Sequence, residues 1–321
     1  MVNLRIVFLG TPAFAVPSLE ALVRSRHEVV GVVSQPDRPK GRGQQLQPTP
    51  TKLTAQAHGI AVLQPAKVRD EAFLQAIRDL RPDLGVVVAF GRILSDALLA
   101  IPRLGMINVH ASILPRYRGA APIQRAVLAG DPETGVSIMR VVSELDAGPV
   151  FSIARAPIPP EATSGDMTEV LAQLGAGELI PIVDALADGR AVETPQDHAA
   201  ATHAAKITKE EGIIDWSEPA GRIHDRVRGL QPWPLASTTL DGLRLVIRAT
   251  ALNRPPANGP HSHQSQSPGS VIATTGDEIV VACGSGTELS IREVQPEGRR
   301  SMSVRDFLSG RSVPERARFG T

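Results

Sequence analysis

Asn108-Val109-His110-Ala111-Ser112-Ile113-Leu114-Pro115-Arg116-Tyr117-Arg118-Gly119-Ala120-Ala121-Pro122 decides the fold. An apolar run from Met106 carries an amide and an imidazole to its end and soon meets a proline. Alternate side chains of a β-strand share a face, so Asn108 and His110 point one way and Val109 points into the opposite layer. An α/β enzyme presents a catalytic edge in this way, with an oxyanion donor beside a group that handles protons. Spacing alone equally suits a hydrogen-bonded structural pair, and a third group is needed to separate the two readings.

Working outward, short apolar runs at residues 5–9, 29–33, 84–90, 106–109 and 136–142 read as strands, several too uniformly apolar to be half exposed. Helical spacing at residues 17–24, 71–80 and 123–128 falls between them, which predicts βαβ units with helices on both faces of a mostly parallel sheet. A longer helix is expected from Thr163 and Asp166, a capping pair, through Leu186, with Gly189 ending it. Residues 1–189 then form a Rossmann-like catalytic domain, and residues 190–205, rich in Ala, Thr and His, form a linker. Residues 206–321 change character: a helix near 220–230 precedes short strands near 236–240, 243–247, 271–273, 279–283 and 289–294, as in a small OB-like β-barrel. The Pro-, Gly-, Ser- and His-rich stretch 254–269 reads as an inserted loop, and His261 and His263 within it as solvated.

With 321 residues, the chain suffices for two domains with their own cores. A net charge of +1 excludes a general nucleic-acid-coating protein, so any phosphate contact must come from local patches. Cys283 is the sole cysteine, which excludes an internal disulfide and a Cys-x-x-Cys pair and fits a reducing cytoplasm. The N-terminal apolar run is broken by Gly10-Thr11-Pro12 and reads as a strand and turn, not a leader. No run approaches the length of about 20 apolar residues that spans a bilayer, so no membrane association is expected.

Gly10 stands alone where a dinucleotide site carries three spaced glycines, and no Gly-rich loop leads into Lys-Ser or Lys-Thr. A nicotinamide oxidoreductase is therefore disfavoured. Ser143-Glu144-Leu145-Asp146-Ala147-Gly148-Pro149 follows the next strand, and a right-handed crossover would return it to the same sheet edge, with Asp146 facing His110. A carboxylate beside an imidazole favours the imidazolium and suits acyl transfer to an amine, although a turn aspartate capping backbone amides has the same spelling. The loop Gln35-Pro36-Asp37-Arg38-Pro39-Lys40-Gly41-Arg42-Gly43 sets three cations among prolines and glycines, as suits a phosphate backbone or a solvated surface. From Arg292 onward, seven arginines face four acids and extend the basic character.

Taken together, Phe8-Leu9-Gly10-Thr11-Pro12, the 36–43 loop, residues 108–124, Leu145-Asp146-Ala147-Gly148, Ile214-Asp215-Trp216, Pro232-Trp233-Pro234 and Arg300-Ser301-Met302 resemble the methionyl-tRNA formyltransferases over nearly the whole chain. The resemblance implies formyl transfer from 10-formyltetrahydrofolate to the amino group of the methionine on initiator tRNA, without a metal and with release of tetrahydrofolate; a monomer in the cytoplasm is expected. It implies Asn108, His110 and Asp146 as catalytic residues, and Ser112, Ile113, Leu114 and Pro115 as the folate ledge. It further implies that Arg38, Lys40 and Arg42 approach the acceptor stem and that the barrel domain, with Lys206 and Lys209 at the junction, contacts the tRNA backbone. Glu144 departs from the family's usual Gly and is expected to raise the proton affinity of Asp146; Phe90 replaces a usual Tyr, and residues 254–269 are an insertion. N-formyltransferases of sugar amines share the three-residue site and a C-terminal barrel, and form the alternative within the same chemistry; an RNA-binding module without catalysis is disfavoured by the assembled triad.

Overall fold

A computed structural model describes residues 2–40, 45–252, 266–314 and 317–320. Arg42, His261 and His263 lie outside these residues, as does most of the 254–269 insertion. The contacts divide the chain into two compact units. The first comprises Met1–Pro122, Glu133–Pro157 and Thr168–Ala205; the second comprises Ile123–Pro132, Ile158–Met167 and Lys206–Thr321.

The elements from the N-terminus are β1 (Arg5–Gly10), α1 (Val16–Arg24), β2 (Glu28–Val33), β3 (Arg38–Lys40), β4 (Gln45–Gln47), α2 (Pro50–Ala57), β5 (Val62–Leu63), α3 (Glu71–Asp79), β6 (Leu84–Val88), α4 (Asp96–Leu99), β7 (Met106–His110), β8 (Arg118–Gly119), α5 (Pro122–Ala129), β9 (Glu133–Arg140), β10 (Val150–Pro157), α6 (Ser164–Ala187) and β11 (His203–Ala204). Seven strands form one sheet in the order β10-β9-β7-β6-β1-β2-β5. From β7 to β5 all neighbours are parallel. β6 is buried at every residue, as its unbroken Leu-Gly-Val-Val-Val predicts for a central parallel strand. Val7, Leu9, Val87 and Met106 share a core with Phe73, Leu74 and Ile77 of α3.

β9 runs antiparallel to β7, with Ile107 opposite Arg140 and His110 opposite Ser137, and β10 runs antiparallel to β9. This corrects the parallel crossover expected after β7. The strand β10 went unread because Phe-Ser-Ile-Ala-Arg-Ala mixes polar and small residues on a half-exposed edge. α6 packs behind β7 at Gly175, where a Cβ would stand 2.6 Å from Val109 Cγ1 and 3.4 Å from Val136 Cγ1. Only a residue without a side chain lets the helix approach this closely. The capping pair forms as expected: Asp166 N–H donates to Thr163 Oγ1, and Thr163 N–H donates to Asp166 Oδ2.

By length and composition alone α6 is long and apolar enough to cross a bilayer. The apolar run is interrupted by Asp166, Glu169, Glu178 and Asp184, and Leu171, Leu179 and Val183 are fully buried in the protein itself.

The second unit is built on α7 (Ala220–Gly229), β12 (Ala236–Leu240), β13 (Leu243–Leu252), β14 (Val271–Thr275), β15 (Glu278–Ala282), β16 (Glu288–Pro296), β17 (Met302–Ser303) and α8 (Val304–Gly310). The sheet order β12-β13-β16-β15-β14 is closed by the C-terminal residues, since Phe319 bridges Leu240 of β12 and Arg318 bridges Ser270 beside β14. Phe319 reaches the core next to Trp216, their ring centroids 5.3 Å apart. Closure removes the exposed edges of the sheet.

Gly175→Val is expected to destabilise the first unit by about 1–3 kcal/mol through overpacking against Val109, read as a lower urea midpoint; an unchanged midpoint would contradict the close approach. A second expectation concerns pH. The Asp184 carboxyl is held below its ordinary value chiefly by the Arg26 guanidinium, with His27 adding to this and partial burial opposing it. A depressed carboxyl stabilises the fold above its unfolded value and loses that contribution as pH falls through its folded value. The stability gap between the wild-type chain and Asp184→Asn is therefore expected to be full at neutral pH and to narrow progressively below about pH 4.

Candidate active site

His110 ends β7 and is 6% exposed, and half-buried Asn108 lies on the same face one alternation earlier. His110 Nε2 is 2.9 Å from the carbonyl oxygen of Tyr117. A carbonyl can only accept, so Nε2 carries a hydrogen, and in the neutral ring Nδ1 keeps its lone pair. Nδ1 in turn faces Asp146 Oδ2 at 3.7 Å. The same Oδ2 accepts the backbone N–H of Gly119 at 2.9 Å. Thus the segment after the proline doubles back, and two of its backbone groups orient the imidazole and the carboxylate.

Asp146 arrives from the hairpin loop between the antiparallel β9 and β10. Its φ of 49° and Tyr117's of 60° lie in the left-handed region, where non-glycine residues need surrounding contacts to hold them. Gly148, just after Asp146, admits no Cβ, which would stand 2.0 Å from Arg140 O.

The four ledge residues divide by burial. Ser112 is fully buried, and its hydroxyl donates to Arg116 O at 2.7 Å. Ser137 Oγ donates to Ser112 O and accepts from Leu114 N–H, and Leu114 packs with Met139 and Val150. Ile113 and Pro115 remain partly exposed. Ser137 of β9 thus pins the ledge to the sheet.

The basic residues stand elsewhere. Arg38 opens β3, is exposed and donates to Gln35 Oε1 at 2.7 Å; Lys40 ends that strand. Lys206 and Lys209 are exposed in the second unit, where Arg125 donates to Lys206 O and pairs with Glu211 at 2.6 Å. Among the described residues no three His, Cys, Asp or Glu side chains cluster as a metal site. Glu144 turns toward Arg118 Nη1 at 3.5 Å with its side chain 68% exposed, so its charge is met by a guanidinium and by water.

Residues 190–205 do more than connect. Thr194 bridges Val150, β11 pairs with β8 in parallel, and Gln196 donates from Nε2 to the carbonyl oxygens of Asp146 (2.9 Å) and Gly148 (2.7 Å). Gln196, Arg118 and the backbone of Tyr117 and Gly119 were not singled out in the sequence. The one available signal was Gln196-Asp197-His198, a polar cluster in an otherwise Ala- and Thr-rich stretch.

Residues 4–183 match the formyl transferase family and residues 206–312 match the formyl transferase C-terminal domain. The chain belongs to the formyltransferase family. Within it, the chain is 47% identical to the methionyl-tRNA formyltransferase of Moorella thermoacetica, covering 96% of both chains. It is 46% identical to that of Methylococcus capsulatus over 99% of this chain and all of the relative. Solved structures share the fold at lower identity. The N-formyltransferase from Helicobacter canadensis superposes with a TM-score of 0.67 at 15% identity, over 91% of this chain and 99% of that one. HypX from Aquifex aeolicus gives 0.60 at 17% identity, and this chain spans 51% of its length while 99% of this chain is covered.

Gly119 has a φ of +120°, and a Cβ there would stand 2.8 Å from Ala204 O. Gly119→Ala is expected to displace the N–H that orients Asp146 and to cost about 1–3 kcal/mol of backbone strain, seen as a lower melting temperature together with lost formyl transfer. Full activity in this variant would remove Gly119 from the site.

Proposed function

We propose that this chain transfers the formyl group of 10-formyltetrahydrofolate to the amino group of the methionine on charged initiator tRNA, in the cytoplasm and as a monomer. The observation that carries this reading is the His110–Asp146 pair, oriented by Tyr117 O and Gly119 N–H beside Asn108. Full-length relatives named methionyl-tRNA formyltransferase support the choice of acceptor.

The methionyl amine attacks the formyl carbon; the new C–N bond forms as the carbonyl electrons move onto oxygen. Asn108 offers an amide N–H to that oxyanion. The attacking nitrogen must lose a proton, and the lone pair on His110 Nδ1 with the adjacent Asp146 carboxylate takes it. When the bond to N10 breaks, the proton returns to N10, giving tetrahydrofolate and formylmethionyl-tRNA. His110 and Asp146 exchange that proton as one coupled pair. The pinned ledge suits a flat donor, with Ile113 and Pro115 as its apolar surface.

Arg38, Lys40 and Arg42 serve as phosphate contacts on the acceptor stem, and Lys206 and Lys209 serve the backbone from the second unit. Their support is exposure in Arg38, Lys206 and Lys209 and charge in all five. Sugar N-formyltransferases share the fold at 15% identity, and a sugar-nucleotide amine belongs in the assay as a competing acceptor.

Formyl transfer to charged initiator tRNA is the direct test, run beside charged elongator tRNA and a sugar-nucleotide amine; preference for the sugar would overturn the reading. His110→Ala is expected to lower kcat/KM by about 10²–10⁴-fold, the usual size of a general acid–base contribution. Arg42→Ala is expected to raise KM for tRNA and flatten its salt dependence by about one phosphate contact, leaving KM for the folate unchanged; unaltered tRNA kinetics would withdraw that contact.

A further inference from the structure

Arg118 is 9% exposed and its Nη1 forms an ion pair with Glu144 at 3.5 Å. Its Nε and Nη2 donate together to the neutral Gln196 Oε1 at 3.1 and 2.9 Å, with His198 Nδ1 farther off at 3.4 Å from Nη2. A guanidinium has no acceptor, so this fork fixes which end of the Gln196 amide is oxygen. The Nε2 hydrogens must then point the other way, where both are used, on Asp146 O and Gly148 O. Gln196 is itself 8% exposed and fully satisfied.

We infer that Arg118 and Gln196 are positioning residues for catalysis, which hold the Asp146 loop in its left-handed turn and so set the carboxylate against His110. The inference rests on the functional reading above. Three consecutive residues converge on the catalytic pair. Tyr117 gives its carbonyl to His110, Arg118 reaches the Asp146 backbone through Gln196, and Gly119 gives its N–H to the Asp146 side chain. The strained φ at Asp146 persists only while such contacts over-determine it. Neither Arg118 nor Gln196 touches the reacting atoms in this arrangement; both act through the direction in which Asp146 points.

Gln196→Glu is nearly isosteric and keeps an oxygen for the Arg118 fork, but replaces the NH2 with a second anionic oxygen facing two carbonyls. It is expected to lower kcat roughly 10- to 100-fold, the usual effect of removing an outer hydrogen-bond partner, with KM for folate and tRNA within about twofold. The decisive measurement is a double-mutant cycle. In an Asp146→Asn background, Gln196→Glu should change kcat by less than about twofold, because the group it positions is already disabled. Arg118→Lys, which keeps the charge and loses the fork, should show the same coupling and covers the case in which Gln196→Glu does not fold. Additive losses, or a raised KM with kcat intact, overturn the inference; a wild-type chain that formylates no charged tRNA overturns the functional reading instead.

Discussion

The hydrogen bond from His110 Nε2 to the Tyr117 carbonyl sets the chemistry of the whole site. It chooses the tautomer, and through the tautomer it determines which nitrogen can exchange a proton. That bond exists only because the chain reverses after Pro115 and returns over the face of β7 that carries Asn108 and His110. The reversal is anchored from both sides of the sheet. On the front, Ser137 holds the ledge and β8 pairs with β11. On the back, Val109 sits against the bare backbone of Gly175. A strand fixed in this way has little freedom to roll, and Asn108 and His110 on its face inherit that rigidity.

Strain is placed where this scaffold can hold it. Tyr117 and Asp146 both adopt left-handed backbone angles, and they are the residues whose carbonyl and carboxylate flank the imidazole. Each such residue costs of order 1–3 kcal/mol, so the fold must contribute compensating contacts nearby. The antiparallel hairpin of β9 and β10 supplies a loop that can curl tightly, whereas a parallel crossover would have spent a helix returning to the edge. At Gly148 and Gly119 a side chain would collide with a backbone oxygen.

The sequence made some of this legible and hid the rest for physical reasons. Period-two alternation reported that Asn108 and His110 share a face, and the uniformly apolar run at 84–90 reported a buried parallel strand, observed at Leu84–Val88. Strand direction after β7 left no mark in composition, since β9 is apolar enough to be read as parallel. Asp146 was found with the right partner but by the wrong route. Residues 190–205 have no period because their order comes from single hydrogen bonds to another part of the chain, above all those of Gln196. A segment held by its partners carries no signature of its own.

A net charge of +1 imposes a final constraint. A long polyanion is not drawn by the field of this molecule as a whole, so its affinity must be concentrated in a few residues whose charges are not already spent within the fold. Much of the arginine is spent. Arg26, Arg78, Arg103, Arg125, Arg140, Arg155 and Arg226 each meet a carboxylate. Arg38 rests on a neutral glutamine oxygen and keeps its charge for the solvent side. Arg118 serves a different end: buried, with Glu144 no nearer than 3.5 Å and its fork on the neutral Gln196, its guanidinium fixes the direction of an amide. Which acid each arginine lacks is therefore as informative about function as which it has.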